Sequence, residues 1–186
     1  MTLSNLQLAV VEVLSRDPWL VKRNATVLAE DKGNIIAYLQ NNLAKLGVAV
    51  VVSTPRLAGD TPDSFIPTGN SDVVVSCFET PLLNRGVANR TTALNAAERV
   101  ACVLARLPQL SGKITGEQYG PPSFVKIESG MVGENQREAM LVYDVTVRIR
   151  VALNGDMDAE PHQPSGAPGG LALPGGAPEE HAPPQE

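Results

Sequence analysis

The clearest pattern in the chain is a regular alternation of side-chain types between Glu138 and Leu153. A period of two over many residues is typical of a β-strand with one buried face. The segment from Phe124 to Met131 precedes it across a turn around Gly133-Glu134-Asn135, so the two predict a long C-terminal β-hairpin. One face of the second arm is expected to carry Leu141, Tyr143, Val145, Val147, Ile149 and Val151, and the other Val142, Asp144, Thr146, Arg148 and Arg150.

Two short runs rich in β-branched residues predict inner strands. Val48 to Val52 is apolar at every position, and Asp72 to Phe78 is nearly so. Runs of this kind are typical of strands that are covered on both faces. The segment between them, Pro55 to Gly69, is rich in Pro, Gly, Asp and Thr, and its length indicates a loop that is functional or mobile.

Two segments in the first quarter of the chain show the helical spacing of apolar side chains. The first begins at a capping box, Ser4-Asn5-Leu6-Gln7, and is expected to end before Asp17, because a proline follows. The second runs from about Asp31 to Leu46, and Gly47 is well placed to end it.

A third helix is predicted to begin at Thr91 or Thr92 and to end at Pro108. Together, the elements predict an α+β domain in which three helices flank a mixed sheet of about four strands, extended by the hairpin. The apolar face of the third helix is expected to consist of Leu94, Ala97, Val100, Ala101, Leu104 and Leu107.

The composition changes near Leu153. Seven of the 15 prolines and two Gly-Gly pairs follow it, and large apolar residues nearly vanish. Such a segment buries too little apolar surface to offset the entropy lost on ordering. We therefore predict a folded domain over residues 1–153 and a disordered, acidic, Pro/Gly-rich tail over residues 154–186.

Charge and hydropathy narrow the possible partners. The net charge is -5, and the predicted tail holds acidic residues but no Lys or Arg, so the predicted domain is nearly neutral. Strong phosphate binding is not expected, because basic excess supplies most non-specific affinity for nucleic acids. Neither a membrane-spanning run nor a secretory leader is seen, and a cytoplasmic site of synthesis is expected.

The sequence offers few residues for chemistry. His162 and His181 both fall in the predicted tail, and no zinc-ligand spacing occurs. Cys77 and Cys102 are interpreted as small buried hydrophobic residues. No catalytic residue, cofactor or metal ion is therefore predicted.

Several arginines have two possible roles. Arg85 and Arg90 flank a glycine-containing loop before the third helix, where they would anchor a neighbouring subunit or lie solvated beside a carboxylate such as Glu79 or Glu98. Arg148 and Arg150 on the hairpin have the same alternatives, contact with a partner or a plain solvent-facing strand.

The order of elements resembles that of phage-encoded minor tail proteins, relatives of the lambda-type tail terminator. The likeness is carried by AKLGVAVVVSTP, by VVVSCFETP, and by Leu-Asn-Arg followed by TALNAAERVACVLARL. It covers roughly residues 5 to 151, and its most specific piece runs from Glu79 through Leu107. The long Pro/Gly tail departs from the family pattern.

The resemblance implies a ring, hexameric in the family, at the end of the tail tube. Such a ring stops tube polymerisation and contacts the head-completion or connector protein, and DNA passes through it without specific binding. The protein would belong to the tail or neck of a virion assembled in the host cytoplasm. Carried onto this chain, the contacts with other subunits or partners would involve Asn84, Arg85, Arg90, Asp144, Arg148 and Arg150.

Two other classes of function stay open from the residues. A non-catalytic module would bind a peptide or small molecule between the sheet face and the Pro55–Gly69 loop. The low aromatic content, 4%, argues against such a pocket. An enzyme would need a catalytic group that the predicted domain, which lacks histidine, does not display.

Overall fold

The computed structural model describes residues 2–30, 35, 38–39, 47–59, 68–79, 91–111, 118–133 and 140–153. The helices are α1 (Leu3–Ser15), α2 (Pro18–Lys22) and α3 (Ala93–Ala105). The strands are β1 (Thr26–Ala29), β2 (Val48–Val52), β3 (Arg56–Gly59), β4 (Thr68–Glu79), β5 (Leu110–Ser111), β6 (Gln118–Tyr119), β7 (Ser123–Val132) and β8 (Met140–Ala152).

Six of these strands form one mixed sheet. Its order is β1-β2-β4-β8-β7, with β3 beside the first half of β4. β1 runs parallel to β2, and the other neighbours are antiparallel. The predicted α+β class with a mixed sheet is confirmed. The sheet is larger than the predicted four strands, because β1 and β3 are four-residue strands without a strong pattern.

The predicted hairpin is confirmed, with slightly different bounds. β7 pairs antiparallel with β8. On its other side, β8 pairs through residues 141–152 with the twelve residues of β4. The alternation along β8 also has the predicted sense. Val145, Val147 and Ile149 are fully buried, whereas Arg148 and Arg150 are exposed.

The main core lies between the sheet and helices α1 and α3. Val50, Val73 and Val147 represent the sheet side of this core, and Leu6 and Val100 the helix side; all five are fully buried. Burying one such side chain contributes about 1.5–3 kcal/mol. We call this side of the sheet the helix face.

Helix α1 begins earlier than predicted. Its N-cap is Thr2, whose side chain accepts a hydrogen bond from the Asn5 amide at 3.1 Å, rather than Ser4. Gln7, expected in the capping box, is buried instead. Its Nε2 donates to the carbonyls of Val52 at 2.7 Å and Glu30 at 3.2 Å. The side chain therefore ties α1 to the end of β1 and β2.

Helix α3 buries a narrower stripe than predicted. Ala93, Ala96, Ala97, Val100 and Leu104 are fully buried. The expectations that Leu94 faces the core and that Cys102 is buried were wrong, since both side chains are exposed. The N-terminal turn is set by Thr92, which leaves these two side chains pointing away from the sheet.

Several predicted features lie largely or wholly outside the described residues. Of the second predicted helix, residues 35, 38 and 39 are described, and they have helical conformation. Leu39 packs on the opposite side of the sheet with Ala49, Val51 and Met140. The hairpin turn and the predicted tail fall outside the described ranges.

Candidate assembly surface

On the side away from α1 and α3, the sheet is apolar where Leu39 packs with Ala49, Val51 and Met140. The part of this side around β4 and β8 is largely polar, and we call that polar part the open face. A groove of about 1000 Å³ runs across it, between residues 53–59 on one side and β7 on the other. The side chains that line the middle of this groove are Asn70, Asp72, Val74, Ser76, Asp144, Thr146 and Arg148, with Lys126 and Glu128 at its β7 side.

The structure describes three of the six predicted contact residues. Asp144, Arg148 and Arg150 lie at alternate positions of β8, on the strand side that forms the open face. The other three, Asn84, Arg85 and Arg90, lie outside the described residues. Within the described residues, the structure therefore brings together the three predicted contact residues of β8 on one face.

Asp72 and Arg148 face each other across β4 and β8. The Arg148 Nε donates to Asp72 Oδ1 at 2.8 Å, and a terminal guanidinium nitrogen donates to Oδ2 at 3.0 Å. This hydrogen bonding holds the pKa of Asp72 below its ordinary value, aided by the charges of Arg148 and Lys126 and opposed by partial burial. Both side chains are exposed, so the pair is expected to contribute no more than about 1 kcal/mol to stability.

A second polar row crosses three strands. Ser76 of β4 lies opposite Asp144 of β8, which lies opposite Glu128 of β7. Two carboxylates in directly opposite positions repel each other. The Ser76 hydroxyl donates to Asp144 Oδ1 at 2.6 Å, and the Lys126 Nζ lies 2.8 Å from Glu128 Oε2. These two contacts compensate the repulsion and fix the geometry of the open face.

Glu79 links the end of β4 to the start of α3. Its buried Oε2 accepts a hydrogen bond from the Ala93 amide at 2.6 Å. A carboxylate at a helix N-terminus satisfies an otherwise unpaired amide and interacts favourably with the helix dipole. The glutamate of the Glu-x-Pro segment therefore has a positioning role, which the sequence alone did not reveal.

Asp17 joins α2 to α3. It caps α2 by accepting from the amides of Trp19 at 3.1 Å and Leu20 at 3.0 Å. It also receives two hydrogen bonds from Arg99, at 3.1 and 2.6 Å. Burial alone would raise the pKa of Asp17, but the Arg99 and amide hydrogen bonds outweigh it and hold the pKa below its ordinary value.

The helix side carries a smaller surface groove of about 480 Å³. Trp19, Arg23, Arg99, Cys102 and Arg106 are among its lining residues. The Arg23 guanidinium carbon lies 4.0 Å from the centre of the Trp19 ring, a cation–π contact. This groove was not predicted, because its residues come from two helices far apart in sequence.

The Cys77 thiol is fully buried, which disfavours its ionisation. Burial raises the pKa of Cys77 to about 12, and the charge of Asp144 adds to the effect. Within the described ranges, no group of three or more His, Cys, Asp or Glu side chains is arranged to hold a metal ion. The helices in the described part of the chain are too short or too polar to cross a bilayer.

Comparison with known proteins gives a likeness of fold. No protein-family model matches the sequence, and no curated protein matches it. A solved structure does match: a chain of the virion of the native gene transfer agent particle, with a TM-score of 0.55 and 21% identity. The match covers 79% of this chain and 94% of the other. The two chains share a fold. At this level of identity, the likeness is one of architecture.

Proposed function

We propose that this chain is a structural subunit of a phage-like virion. Its role is that of a tail terminator or tail-completion protein, which forms a homo-oligomeric ring, hexameric by family resemblance, at the end of the tail tube. In this role, the ring contacts the tail-tube protein on one side and the head-completion or connector protein on the other. The nearly neutral domain suits a channel through which DNA slides without specific binding.

One observation carries the proposal. The fold likeness spans 94% of a chain that belongs to a gene transfer agent virion, so that chain corresponds to this fold over nearly its whole length. The resemblance in sequence to lambda-type tail terminators was based on other grounds, the order of elements and the segment from Glu79 to Leu107. Both indications lead to the same class of particle.

The open face supports a role in contacts rather than in chemistry. Two ion pairs lie on this face: Asp72 of β4 with Arg148 of β8 across neighbouring strands, and Lys126 with Glu128 along β7. Fixed charges of both signs favour a specific orientation of a partner. Asp144, Arg148 and Arg150 are the proposed contact residues here, and Asn84, Arg85 and Arg90 are proposed as a second contact.

Electron microscopy of particles made without this chain tests the proposal. Loss of a terminator should leave tails of variable, excessive length that do not join heads. Supplying the intact gene should restore a single tail length, whereas a gene carrying Arg148→Glu and Arg150→Glu should restore it less well. Particles of normal length that carry joined heads in the absence of the chain would contradict the proposal.

A second candidate is a non-catalytic module that binds a peptide or small molecule. The groove on the open face favours it, since residues 55–59 line one side as that alternative required. Most of its lining residues have polar side chains, and two ion pairs, Asp72–Arg148 and Lys126–Glu128, lie among them, which is unfavourable for a small apolar ligand. A thermal-shift screen distinguishes the two, because a ligand that binds only the folded state raises the melting temperature.

A further inference from the structure

The mixed sheet ends in a different strand on each side. In the part of the chain that the structure describes, β1 is paired on one side by β2, and β7 is paired on one side by β8. The outer edge of each strand therefore presents backbone amides and carbonyls without a neighbouring strand among the described residues. Such edges pair readily with strands of other chains.

β7 is a long edge strand that carries three exposed large hydrophobic side chains. Phe124 is 48% exposed, Val125 41% and Met131 68%, which are high values for large hydrophobic side chains. All three belong to this ten-residue strand. A bulge between Phe124 and Lys126 interrupts the pairing with β8. Regular strand geometry therefore runs from Lys126 onward, and this is the part of the edge available for pairing.

The two edges match in the side chains that they direct to each face. On β7, Ile127 lies opposite the buried Val145, so it belongs to the helix face, and Lys126 and Glu128 belong to the open face. On β1, Val27 and Ala29 lie opposite Val50 and Val52 of the helix face. Glu30 follows β1 and continues its ladder, because its backbone amide donates a hydrogen bond to the Val52 carbonyl. Glu30 also lines the open-face groove.

We propose that β7 of one copy pairs antiparallel with β1 of a second copy, so that the sheet continues from subunit to subunit. The register places Lys126 opposite Glu30, Ile127 opposite Ala29, and Ser129 opposite Val27. This inference deepens the proposed function and rests on it, since it names how the subunits of the assembly join.

The direction of the side chains and their charges both favour this register. A shift by one residue would exchange the two faces of the added strand. A shift by two residues in one direction would place Glu128 opposite Glu30, and like charges in directly opposite positions are destabilising. Lys126 opposite Glu30 keeps the faces matched and pairs opposite charges.

The contact is head-to-tail, because it uses a different edge on each copy. Head-to-tail contacts generate rings when the rotation closes and open filaments when it does not. About five residues pair on each side, so the strand contact alone is much smaller than a stable interface of about 1,200–2,000 Å². Weak association in solution, strengthened when copies gather on a template, is the expected behaviour.

Disulfide trapping tests the register. The full chain is prepared with Cys102→Ser to remove the exposed native thiol, and with Glu30→Cys and Lys126→Cys. Within one copy, these positions are separated by four strand spacings, about 19 Å, so they are too far apart for a bond inside the chain. Opposite positions on paired strands have Cβ atoms about 4.5–5.5 Å apart, within reach of a disulfide after small adjustment.

Under mild oxidation near millimolar concentration, the double variant should give a ladder of dimers, trimers and larger species that reductant removes. An equimolar mixture of the two single variants should stop at dimers. A matched control, Asp72→Cys with Lys126→Cys, should give no more than the Cys102→Ser background, because Asp72 lies in the middle of the sheet.

Two results would overturn the proposal. Homodimers of a single variant at the yield of the mixture would show a symmetric contact instead. An absence of cross-linked species above background in the double variant would show that these edges do not meet. Neither result decides the proposed function, which the microscopy of mutant particles tests separately.

Charge exchange gives a second measurement of the same contact. With cysteines at Ala29 and Ile127 as reporters, Lys126→Glu should lower the cross-linking yield several-fold. Adding Glu30→Lys to that variant should restore most of the yield. A yield that the single reversal leaves unchanged would show that Lys126 and Glu30 do not face each other.

Discussion

The two faces of the sheet are built from the same strands but carry different kinds of side chain. On β8, Val147 and Ile149 are fully buried on the helix face, and their neighbour Arg148 is exposed on the open face in a pair with Asp72. The helix face is filled with aliphatic side chains, whereas the polar open face carries charges of both signs. Stability is therefore concentrated on the helix face, which leaves the open face available for contacts.

The magnitudes support this division. A fully buried Val or Ile contributes about 1.5–3 kcal/mol, and an exposed ion pair contributes about 0–1 kcal/mol. Substitutions on the two faces should consequently differ several-fold in their effect on folding. The open face should tolerate changes that damage assembly while leaving the subunit folded, which allows the two properties to be separated by mutation.

The largest expected effect is on the helix face. Ile149→Ala should lower the free energy of unfolding by about 2–4 kcal/mol, because it leaves a cavity in the main core. The matched change Arg148→Ala, on the adjacent residue, should cost no more than about 1 kcal/mol. Urea unfolding followed by circular dichroism measures both. Equal losses would contradict the division between the faces.

The next largest difference in stability between two matched substitutions is expected at a pair of glycines, one in β3 and one in β4. Gly69 and Gly59 are register partners, but a Cβ at Gly69 would lie 2.1 Å from the Ala58 carbonyl oxygen, whereas one at Gly59 would meet nothing within 4 Å. Gly69→Ala should therefore destabilise the protein by about 1–3 kcal/mol through a backbone clash.

The control for this prediction is Gly59→Ala, which should change stability by no more than about 0.5 kcal/mol. Urea unfolding of the two variants side by side provides the comparison. If Gly59→Ala were the more damaging change, the described packing of β3 against β4 would be incorrect.

Removing the link between α2 and α3 should have a moderate effect. Asp17→Ala should cost about 1–2 kcal/mol, because the α2 cap and the Arg99 pair are both lost. Asp17→Asn keeps a capping oxygen and should cost less. Thermal unfolding at pH 7 ranks the two variants, and an Asn variant as unstable as the Ala variant would show that the cap contributes little.

The lowered pKa of Asp17 gives this link a pH dependence. A carboxyl group whose pKa is lower in the folded state contributes its full stability above the unfolded value, about 3.9, and loses it as the pH falls through the folded value. Between about pH 4 and pH 2, the wild-type protein should therefore lose more stability than Asp17→Asn. Parallel urea midpoints across that range measure the difference.

The smallest effect is expected on the open face. Asp72→Asn should lower stability by less than about 1 kcal/mol at pH 7, since the pair with Arg148 is exposed. The pKa of Asp72 is lowered, as that of Asp17 is, so the stability that its ionised carboxylate contributes is also lost as the pH falls. Salt should reduce the effect of this substitution further, and the comparison of urea midpoints at low and high ionic strength checks it.

Much of the fold could be predicted from local patterns. The alternation along β8 and the apolar run of β2 gave the right elements, because side-chain period and burial are directly linked in a sheet. β1 and β3 were missed because four residues are too few to show a period. Their strand conformation depends on pairing with β2 and β4, which are distant in sequence.

The polar contacts were harder to predict. That Asp17 would bind Arg99, or that Glu79 would cap α3, depends on the tertiary arrangement of segments that the sequence separates. Cys102 and Leu94 were assigned to the wrong side of α3 because the helix offers several apolar positions, and the capping turn decides which of them faces the sheet. The pairing of Arg148 with Asp72 required the register of β4 and β8.

Self-assembly is tested most directly by size-exclusion chromatography with light scattering, from micromolar to near-millimolar concentration of the full chain. The monomer mass is 19.7 kDa. We predict that the measured mass rises with concentration toward a fixed whole-number multiple of that value, as a closed ring requires. A mass that stays at the monomer value over the whole range would contradict the proposal that this chain works by joining copies of itself.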